Sequence, residues 1–280
     1  MTVHHGHGVR YGPRLVATPT GRLQAAILVR PSPAIESAVP LIGEPGAIYD
    51  RACEQQDVLR KTLESFGVET TVVASHTADP YEAAAGDASV VFEDGAALMR
   101  LSSLSRRAEA DRMEAEFARI DVPIAGHIAA PALLDGTDVL LAGRTAFIAA
   151  GTRGNRLGRE GFAQLAAAHG YRAVEVKVAE DVSSLRSVAG AVASDTIVVA
   201  AGKIDLEAFA GFRIIPLERG EGLAAGVLPL DERHVIAEIR FRTALRTMRR
   251  AGITVEALDL YEFTKLGMTP SMLTLALRRE

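Results

Sequence analysis

Acidic and basic side chains stand at the ends of apolar runs in this chain, where a fold could bring them together. Glu93 and Asp94 follow the run SVVF, and Asp135 precedes the run VLLAGRTAFI. Arg106 and Arg153 stand where helical patterns begin. Paired carboxylates bind a planar guanidinium through two hydrogen bonds, and arginines hold a carboxylate in the same way. This set would suit a small zwitterion with a cation at one end, such as arginine or a derivative, although a hairpin with solvated charges has the same pattern.

The elements that must position these residues alternate between strands and helices. Short apolar runs bounded by turn residues predict strands, and longer amphipathic stretches predict helices. Helices are predicted at about residues 47–66, 105–120, 156–169 and 243–251, and strands at 23–29, 68–73, 89–92, 96–101, 122–128, 139–142, 145–148, 173–178, 197–201, 213–217, 227–230, 234–239, 253–258 and 272–277. A unit of strand, turn, strand, helix and strand recurs at a spacing of roughly fifty residues, which is typical of a closed array of similar units. We therefore predict one α/β domain over residues 22–280, preceded by a flexible arm over residues 1–21.

The composition argues against several classes of protein. Hydrophobic residues make up 48% of the chain and the net charge is −4, so a core can form but the basic surface of a nucleic-acid-binding protein is missing. No apolar run approaches the ~18 residues that a membrane span needs, and no charged and apolar leader precedes a cleavage site. We expect a cytoplasmic protein without nucleic-acid or membrane partners. The oligomeric state is not determined by the sequence, and a homodimer is one candidate.

The chain has one cysteine and no supported metal site. Cys53 lies inside the first predicted helix, which favours an inert buried thiol over a nucleophile, and a single cysteine agrees with a reducing compartment. His4, His5 and His7 have no cysteine or acid beside them, so metal bound there would be adventitious. We predict no metal and no cofactor.

Four stretches carry a family resemblance, and they follow one another in a specific order and spacing. These are VVFEDG at 90–95, SRRAE at 105–109, LDGTDVLLAG at 134–143 and TRGN at 152–155. With EFTKLGMTPSMLTL at 262–275, the chain resembles the dimethylarginine dimethylaminohydrolase family of the pentein, or guanidine-modifying, superfamily. The resemblance covers nearly the whole chain after Leu23. It implies a five-bladed α/β propeller, which agrees with the repeated units.

The resemblance also implies roles for the charged residues. The family attacks the guanidinium carbon with a cysteine thiolate, uses a histidine as acid and base, and binds the guanidino nitrogens with acids. Asp94, with Glu93 beside it, falls at a guanidine-binding position. Arg106 and Arg153 fall at arginines that hold the substrate carboxylate and backbone. Asp135 replaces a glutamate that supports the histidine.

The chain departs from the family at the reacting groups. Ser184 stands in place of the histidine and Met272 in place of the cysteine. Another binding acid is replaced by Ala88, and Asp87 is displaced by one residue, which in a strand would turn it to the other face. A thioether has no ionisable proton, so Met272 cannot supply the thiolate that this mechanism needs.

Three functions are compatible with these observations. The first is a binder of arginine-like or guanidino ligands that lacks the thiol chemistry. The second is a hydrolase or lyase acting on C–N bonds by a water-based route, assisted by Glu93, Asp94 and Asp135. The third is an interaction protein without a small ligand, which only an analogy of fold supports. His127, just before the Asp135 turn, is a further residue that could reach the pocket, although a structural role is favoured.

Overall fold

The computed structural model describes residues 11–12, 14–76 and 78–280, and these form five separate three-stranded sheets. The strands are β1 (Leu23–Val29), β2 (Glu69–Val73), β3 (Ser89–Val91), β4 (Ala96–Leu98), β5 (Ile124–His127), β6 (Val139–Ala142), β7 (Thr145–Ala149), β8 (Arg172–Val176), β9 (Ala189–Ala193), β10 (Thr196–Ala200), β11 (Arg213–Leu217), β12 (Leu228–Asp231), β13 (His234–Glu238), β14 (Thr254–Leu258) and β15 (Leu275–Arg279).

The helices are of two kinds, long helices that connect strands and short turns beside the strands. The α-helices are α1 (Tyr49–Ser65), α2 (Ala108–Arg119), α3 (Arg156–Ala168), α4 (Leu185–Val188), α5 (Arg242–Arg250), α6 (Tyr261–Thr264) and α7 (Pro270–Leu273). The 3-10 helices cover Pro33–Ser37, Ala85–Asp87, Leu104–Arg106, Gly136–Asp138, Leu206–Phe209 and Arg219–Ala225.

Each sheet repeats one topology. An inner strand pairs antiparallel with a middle strand, and the middle strand pairs in parallel with an outer strand after a crossover. In the third unit, Gly143 takes a positive φ of 51° in the tight turn between β6 and β7. Asn155 then begins α3 by accepting a hydrogen bond from the Gly158 amide at 2.8 Å. The structure therefore confirms the predicted α/β architecture of five repeated units.

The first unit is assembled from both ends of the described chain. Strand β1 pairs with β2 in parallel and with β15 antiparallel, so the last strand completes the first sheet. The inner strands β3, β6, β9, β12 and β15 all line one cavity on the axis of the molecule, which we call the axial cavity.

Three parts of the chain differ from the prediction. The strand predicted over 272–277 is wrong at its start, because Pro270 occupies the first turn of the short helix α7 and β15 begins only at Leu275. The fourth unit has the 3-10 helix Leu206–Phe209 where the other units have long crossover helices, and its inner strand β9 has no counterpart in the prediction. The 3-10 helix Arg219–Ala225 likewise has no counterpart in the prediction.

The predicted flexible arm is wrong for residues 14–21. Leu15 and Val16 are buried, the Leu15 amide donates to the Glu93 carbonyl at 2.7 Å, and the Leu15 carbonyl accepts from the Arg279 amide at 2.9 Å. Apolar contact with the first two units therefore orders this segment. His4, His5 and His7 lie outside the described residues.

In the part of the chain that the structure describes, every helix is too short or too polar to cross a membrane.

Candidate functional site

A cavity of about 380 Å³ opens where several inner strands begin, and we call it the site cavity. Its charged and hydroxyl lining residues are Asp79, Asp87, Ser102, Ser103, Arg106, Asp135, Arg153 and Ser183. Its remaining lining residues are Leu41, Pro80, Tyr81, Ala84, Leu266, Met268 and Met272. Of the predicted site residues, Arg106, Asp135, Arg153 and Met272 therefore come together.

Arg106 is held by carboxylates on two sides. Its Nε and Nη2 donate to the two oxygens of Glu109 at 2.7 and 2.8 Å, as a two-pronged ion pair. Its Nη1 donates to Asp87 Oδ2 at 2.6 Å, and Asp79 lies 3.8 Å away from Nε. The 3-10 helix Leu104–Arg106 before α2 places Arg106 at this position. Three of its five N–H donors are thus committed to protein carboxylates.

Arg153 is surrounded by acceptors even more completely. Its Nε and Nη2 donate to Asp135 Oδ2 at 3.0 and 2.6 Å, and Nη2 lies 2.8 Å from Asp87 Oδ1. Its Nη1 donates to the Ser183 carbonyl at 3.0 Å and to Thr137 Oγ1 at 3.3 Å. In this arrangement Arg153 organises the acids of the site cavity, and a ligand carboxylate could bind it only by displacing them.

The acids around these arginines differ in pKa. Burial would raise the pKa of Asp87, but Arg153 and Arg106 outweigh burial and hold that pKa well below its usual range. Burial raises the pKa of Asp135 despite the opposing charge of Arg153. Burial also raises the pKa of Glu109 to about 7 and that of Asp138 to about 7. The site therefore contains one firmly ionised carboxylate and several that exchange protons more readily.

Met272 and Ser184 touch each other beside the site cavity. The Ser184 hydroxyl donates to the Met272 sulfur at 3.3 Å, and both residues are buried. Ser184 comes immediately before α4, and Met272 lies in α7, which Pro270 begins. The two positions where the family resemblance expects the histidine and the cysteine are therefore adjacent in space.

Glu93 and Asp94 lie outside the site cavity, which corrects the expectation that they join the other site residues. They stand in the turn after β3, at the end of the strand opposite to Asp87. Glu93 forms an ion pair with Arg14 at 3.1 Å, and Asp94, whose side chain is 69% exposed, pairs with His169 at 2.7 Å. The site cavity is lined by residues that precede inner strands. Glu93 and Asp94 follow the inner strand β3, so they lie at its other end, away from the cavity.

Asp87 lies in the site cavity, contrary to the expectation that a one-residue shift would turn it away. That expectation assumed a strand at this position, but β3 begins at Ser89 and Asp87 ends the 3-10 helix Ala85–Asp87. In a helical turn the two-residue alternation of a strand does not apply. The Asp87 side chain is buried and also accepts a hydrogen bond from the Thr137 hydroxyl.

Asp79 was also missed by the sequence analysis. It stands in a polar loop, accepts a hydrogen bond from the Ser105 hydroxyl at 2.7 Å and lines the site cavity. Ser105, the first residue of the helix predicted over 105–120, therefore binds Asp79, and no side chain caps α2. No local signal separates Asp79 from the other acids of polar loops.

The remaining reactive side chains lie away from the site cavity. Cys53 is in α1, as predicted, but it is half-buried rather than buried, and it contacts the phenol of Tyr49. His127 is exposed at the end of β5 and lines a different cavity with Arg107. His234 pairs with Glu256 at 2.9 Å.

The described lining of the site cavity contains no cysteine and no histidine. The hydroxyls of Thr269 and Ser271 donate to the Arg186 carbonyl at 3.1 and 3.3 Å. No described group that could take a proton from them is hydrogen-bonded to either. Over residues 11–12, 14–76 and 78–280, no cluster of histidine, cysteine and acidic residues could hold a metal ion.

Proteins of known name match most of this chain, whereas no protein-family model matches it. A dimethylarginine dimethylaminohydrolase of Streptomyces coelicolor is 31% identical over 258 residues, which is 90% of this chain and 96% of the relative. The enzyme of the same name from Pseudomonas aeruginosa is 23% identical over 234 residues, or 84% of this chain and 91% of the relative.

Solved structures show the same fold. A mutant of the Pseudomonas aeruginosa enzyme complexed with citrulline matches with a TM-score of 0.80 at 21% identity, over 91% of this chain and 99% of that one. The N-terminal domain of ArgZ, an arginine dihydrolase from the ornithine–ammonia cycle in cyanobacteria, was solved as a mutant bound to substrate. It matches with a TM-score of 0.80 at 16% identity, over 91% of this chain and 98% of that one.

The likeness to these structures establishes the five-bladed pentein fold. The identity to the Streptomyces coelicolor protein extends over nearly all of both chains. This chain therefore belongs to the dimethylarginine dimethylaminohydrolase family.

Proposed function

We propose that this protein binds a small guanidinium ligand of the arginine type in the site cavity and does not hydrolyse it by the thiol route. The observation that carries the proposal is the contact between Met272 and Ser184 at the cavity wall. A thioether and a hydroxyl without a base cannot form a covalent adduct with an amidine carbon.

The charges of the cavity support a cationic ligand. Three carboxylates, those of Asp79, Asp87 and Asp135, line the cavity against two guanidinium groups, so the lining has an excess of negative charge. The two arginines are already paired with these acids or with Glu109. The apolar wall that includes Tyr81 and Met268 would contact the aliphatic part of such a ligand. A volume of about 380 Å³ is in the range of small-molecule sites.

The related proteins support the same ligand class. Two relatives carry the name dimethylarginine dimethylaminohydrolase, and one structural neighbour was solved with citrulline. The arginines that the resemblance assigns to the ligand carboxylate are occupied here by protein acids. We therefore expect agmatine, which lacks that carboxylate, to bind at least as well as arginine.

A second candidate function is a non-thiol hydrolase, favoured by one observation. Asp135 lines the cavity and its pKa is raised by burial, so it could exchange a proton with water near a ligand. Glu93 and Asp94 have no part in this candidate, because they lie outside the cavity.

Calorimetric titration with arginine, monomethylarginine, dimethylarginine, agmatine, ornithine and citrulline, followed by product analysis, tests both candidates. Binding without product supports the proposal. Release of citrulline, ornithine or an amine would support the hydrolase, and no binding at millimolar concentration would turn attention to protein partners.

A pair of isosteric variants separates the site cavity from other surfaces. Asp79→Asn removes one negative charge from the lining, whereas Asp111→Asn removes one from the exposed face of α2. We expect Asp79→Asn to weaken agmatine binding by about tenfold, the loss expected for a hydrogen bond to a charged group. It should leave neutral citrulline less affected, and Asp111→Asn should bind both ligands like the parent. Equal affinity of the two variants for agmatine would place the cation elsewhere.

We also infer a cytoplasmic location from the single cysteine, and an acidic surface unsuited to nucleic acid from the net charge of −4. Sedimentation of the purified chain would decide between a monomer and the homodimer.

A further inference from the structure

The axial cavity is separate in position from the proposed ligand site and has a different chemical character. It has a volume of about 100 Å³ and is lined by residues of the inner strands of all five units. Its lining is largely apolar and includes two arginines, Arg186 and Arg279. The described residues that line it include no carboxylate.

Neither arginine has an ion pair with a carboxylate in the described chain. Arg279 is 3% exposed, and its two terminal nitrogens donate to the carbonyls of Gly21 and Pro229, each at 2.8 Å. Arg186 donates one hydrogen bond, to the carbonyl of Ser271. The remaining donors of Arg186 have no described acceptor.

The nearest acids do not compensate these charges. The carboxylate that acts on Arg186 is Asp87, which Arg106 and Arg153 already hold. Burial and, to a smaller extent, the charge of Arg186 lower the pKa of Arg279 to about 9, and only Asp231 opposes this. Both guanidinium groups remain protonated at neutral pH. Arg279 is buried and Arg186 is half-buried. Two like charges in such positions without a counterion are unfavourable, and an anion between them would reduce that cost.

A third group in the cavity lacks a partner. The Thr274 hydroxyl is fully buried, lines the axial cavity and has no hydrogen-bond partner among the described residues. Buried hydroxyls almost always have such a partner, so the hydrogen-bonding capacity of this one is unused by the described residues and would be available to a ligand in the cavity. A hydroxyl and guanidinium N–H groups are the donors that a halide binds.

We propose that the axial cavity binds one small monovalent inorganic anion, such as chloride, through Arg186, Arg279 and Thr274. The volume admits an ion of this size with a few waters, and the absence of lining carboxylates favours a negative charge. Bound there, the anion would connect β15 with α4, and so would stabilise the closed ring.

Thermal unfolding of the full chain tests the proposal. The samples contain sodium chloride, bromide, nitrate or gluconate at one constant ionic strength, so that general screening is the same in all. We expect chloride, bromide and nitrate to raise the Tm in a saturable manner, and gluconate, which is too large for the cavity, to leave it unchanged. Identical melting in all four salts would overturn the proposal.

Two variants locate the site, with a third as a control for charge. Thr274→Val keeps the shape of the side chain, so it should fold, and we expect the apparent Kd for chloride to rise about tenfold. Arg279→Met should abolish the chloride dependence, and the exposed Arg246→Met should keep it. If Arg279→Met does not fold, anomalous diffraction from bromide-soaked crystals of the parent decides the question. Bromide between Arg186 and Arg279 supports the proposal, and bromide only on the outer surface marks an adventitious ion and overturns it.

Discussion

At the scale of single residues, the contact between Met272 and Ser184 is the observation on which the proposed function depends. The Ser184 hydroxyl lies 3.3 Å from the Met272 sulfur and donates a weak hydrogen bond to it. This contact does not activate either group as a nucleophile. The family's chemistry needs a thiolate beside a proton-transferring group. Ser184 and Met272 stand at the two positions where the resemblance expects these groups, and the proposed absence of thiol chemistry rests on that substitution.

The same contact makes a prediction about restored side chains. In a Cys53→Ala background, Met272→Cys alone should give a thiol near the ordinary pKa of about 8.5. Adding Ser184→His should lower that pKa to about 7.5 or below, since an imidazolium beside a thiol favours the thiolate. The rate of iodoacetamide alkylation between pH 5 and 10 measures this. Identical pH profiles for the two variants would contradict the adjacency of these positions.

At the scale of elements, the site is built from short turns that precede inner strands. Asp87 ends the turn before β3, Asp135 begins the turn before β6, Ser184 begins α4 before β9, and Met272 lies in α7 before β15. Equivalent ends of neighbouring inner strands meet at one end of the axis, which is why residues from four units share one site.

The turns before β3 and β6 meet through a glycine, which predicts an outcome for its substitution. A Cβ on Gly136 would lie 2.3 Å from the Gly86 carbonyl oxygen and 3.1 Å from that of Asp87. Gly136→Ala should therefore lower the free energy of unfolding by about 1–3 kcal/mol and weaken agmatine binding, because the two turns must separate. Urea denaturation and calorimetry measure the two effects.

Gly161→Ala is the matched control for this substitution. Its Cβ would meet only Ile128 Cδ1 at 3.8 Å, inside α3. We expect stability to be unchanged or raised by about 0.5–1 kcal/mol, since alanine favours a helix interior. Equal losses in both variants would argue against close contact between the turns.

Asp138 connects the turn before β6 to α4, and its pKa predicts a dependence of stability on pH. Asp138 accepts a hydrogen bond from the Leu185 amide at 2.9 Å, and burial raises its pKa to about 7. The folded chain therefore keeps a proton that the unfolded chain loses at about pH 4. The contribution of Asp138 to the free energy of unfolding therefore falls as the pH rises from about 4 to about 7, and it is constant above about pH 7.

Asp138→Asn keeps the acceptor and removes the titration. The difference in the free energy of unfolding between Asp138→Asn and the parent should therefore shift in favour of the variant by up to about 4 kcal/mol between pH 4 and 8. Urea denaturation at pH 4.5, 6 and 8 measures the difference, with the exposed Asp111→Asn as a control. If the free energies of unfolding of Asp138→Asn and the parent changed with pH in parallel, the raised pKa of Asp138 would be refuted.

At the scale of the whole molecule, we expect stability to depend on the pairing of β15 with β1. This strand completes the first sheet, lines the axial cavity and contains Leu277, which is fully buried. Deleting residues 275–280 should abolish cooperative thermal unfolding of the single domain that we propose for residues 22–280. Deleting Glu280 alone removes the carbonyl that accepts from the Arg22 amide at 2.9 Å and should preserve the transition. Circular dichroism follows both, and a parent-like transition in the longer deletion would show that closure is dispensable.

The sequence by itself determined the repeated units and the strands with the clearest boundaries. β1 and β11 were predicted to the residue, because apolar runs bounded by turn-forming or polar residues leave one assignment. That Met272 cannot supply a thiolate also follows from its residue type alone, since no environment makes a thioether ionise.

The set of acids that share the site cavity depends on how the units pack against one another. Asp87 and the pair Glu93–Asp94 stand at opposite ends of the short strand β3, and the sequence does not indicate which end meets the other units. It also could not reveal that protein carboxylates occupy Arg106 and Arg153, or that Arg186 and Arg279 face one cavity. Ion pairing and burial depend on contacts between residues from different units, and those contacts exist only after the ring has closed.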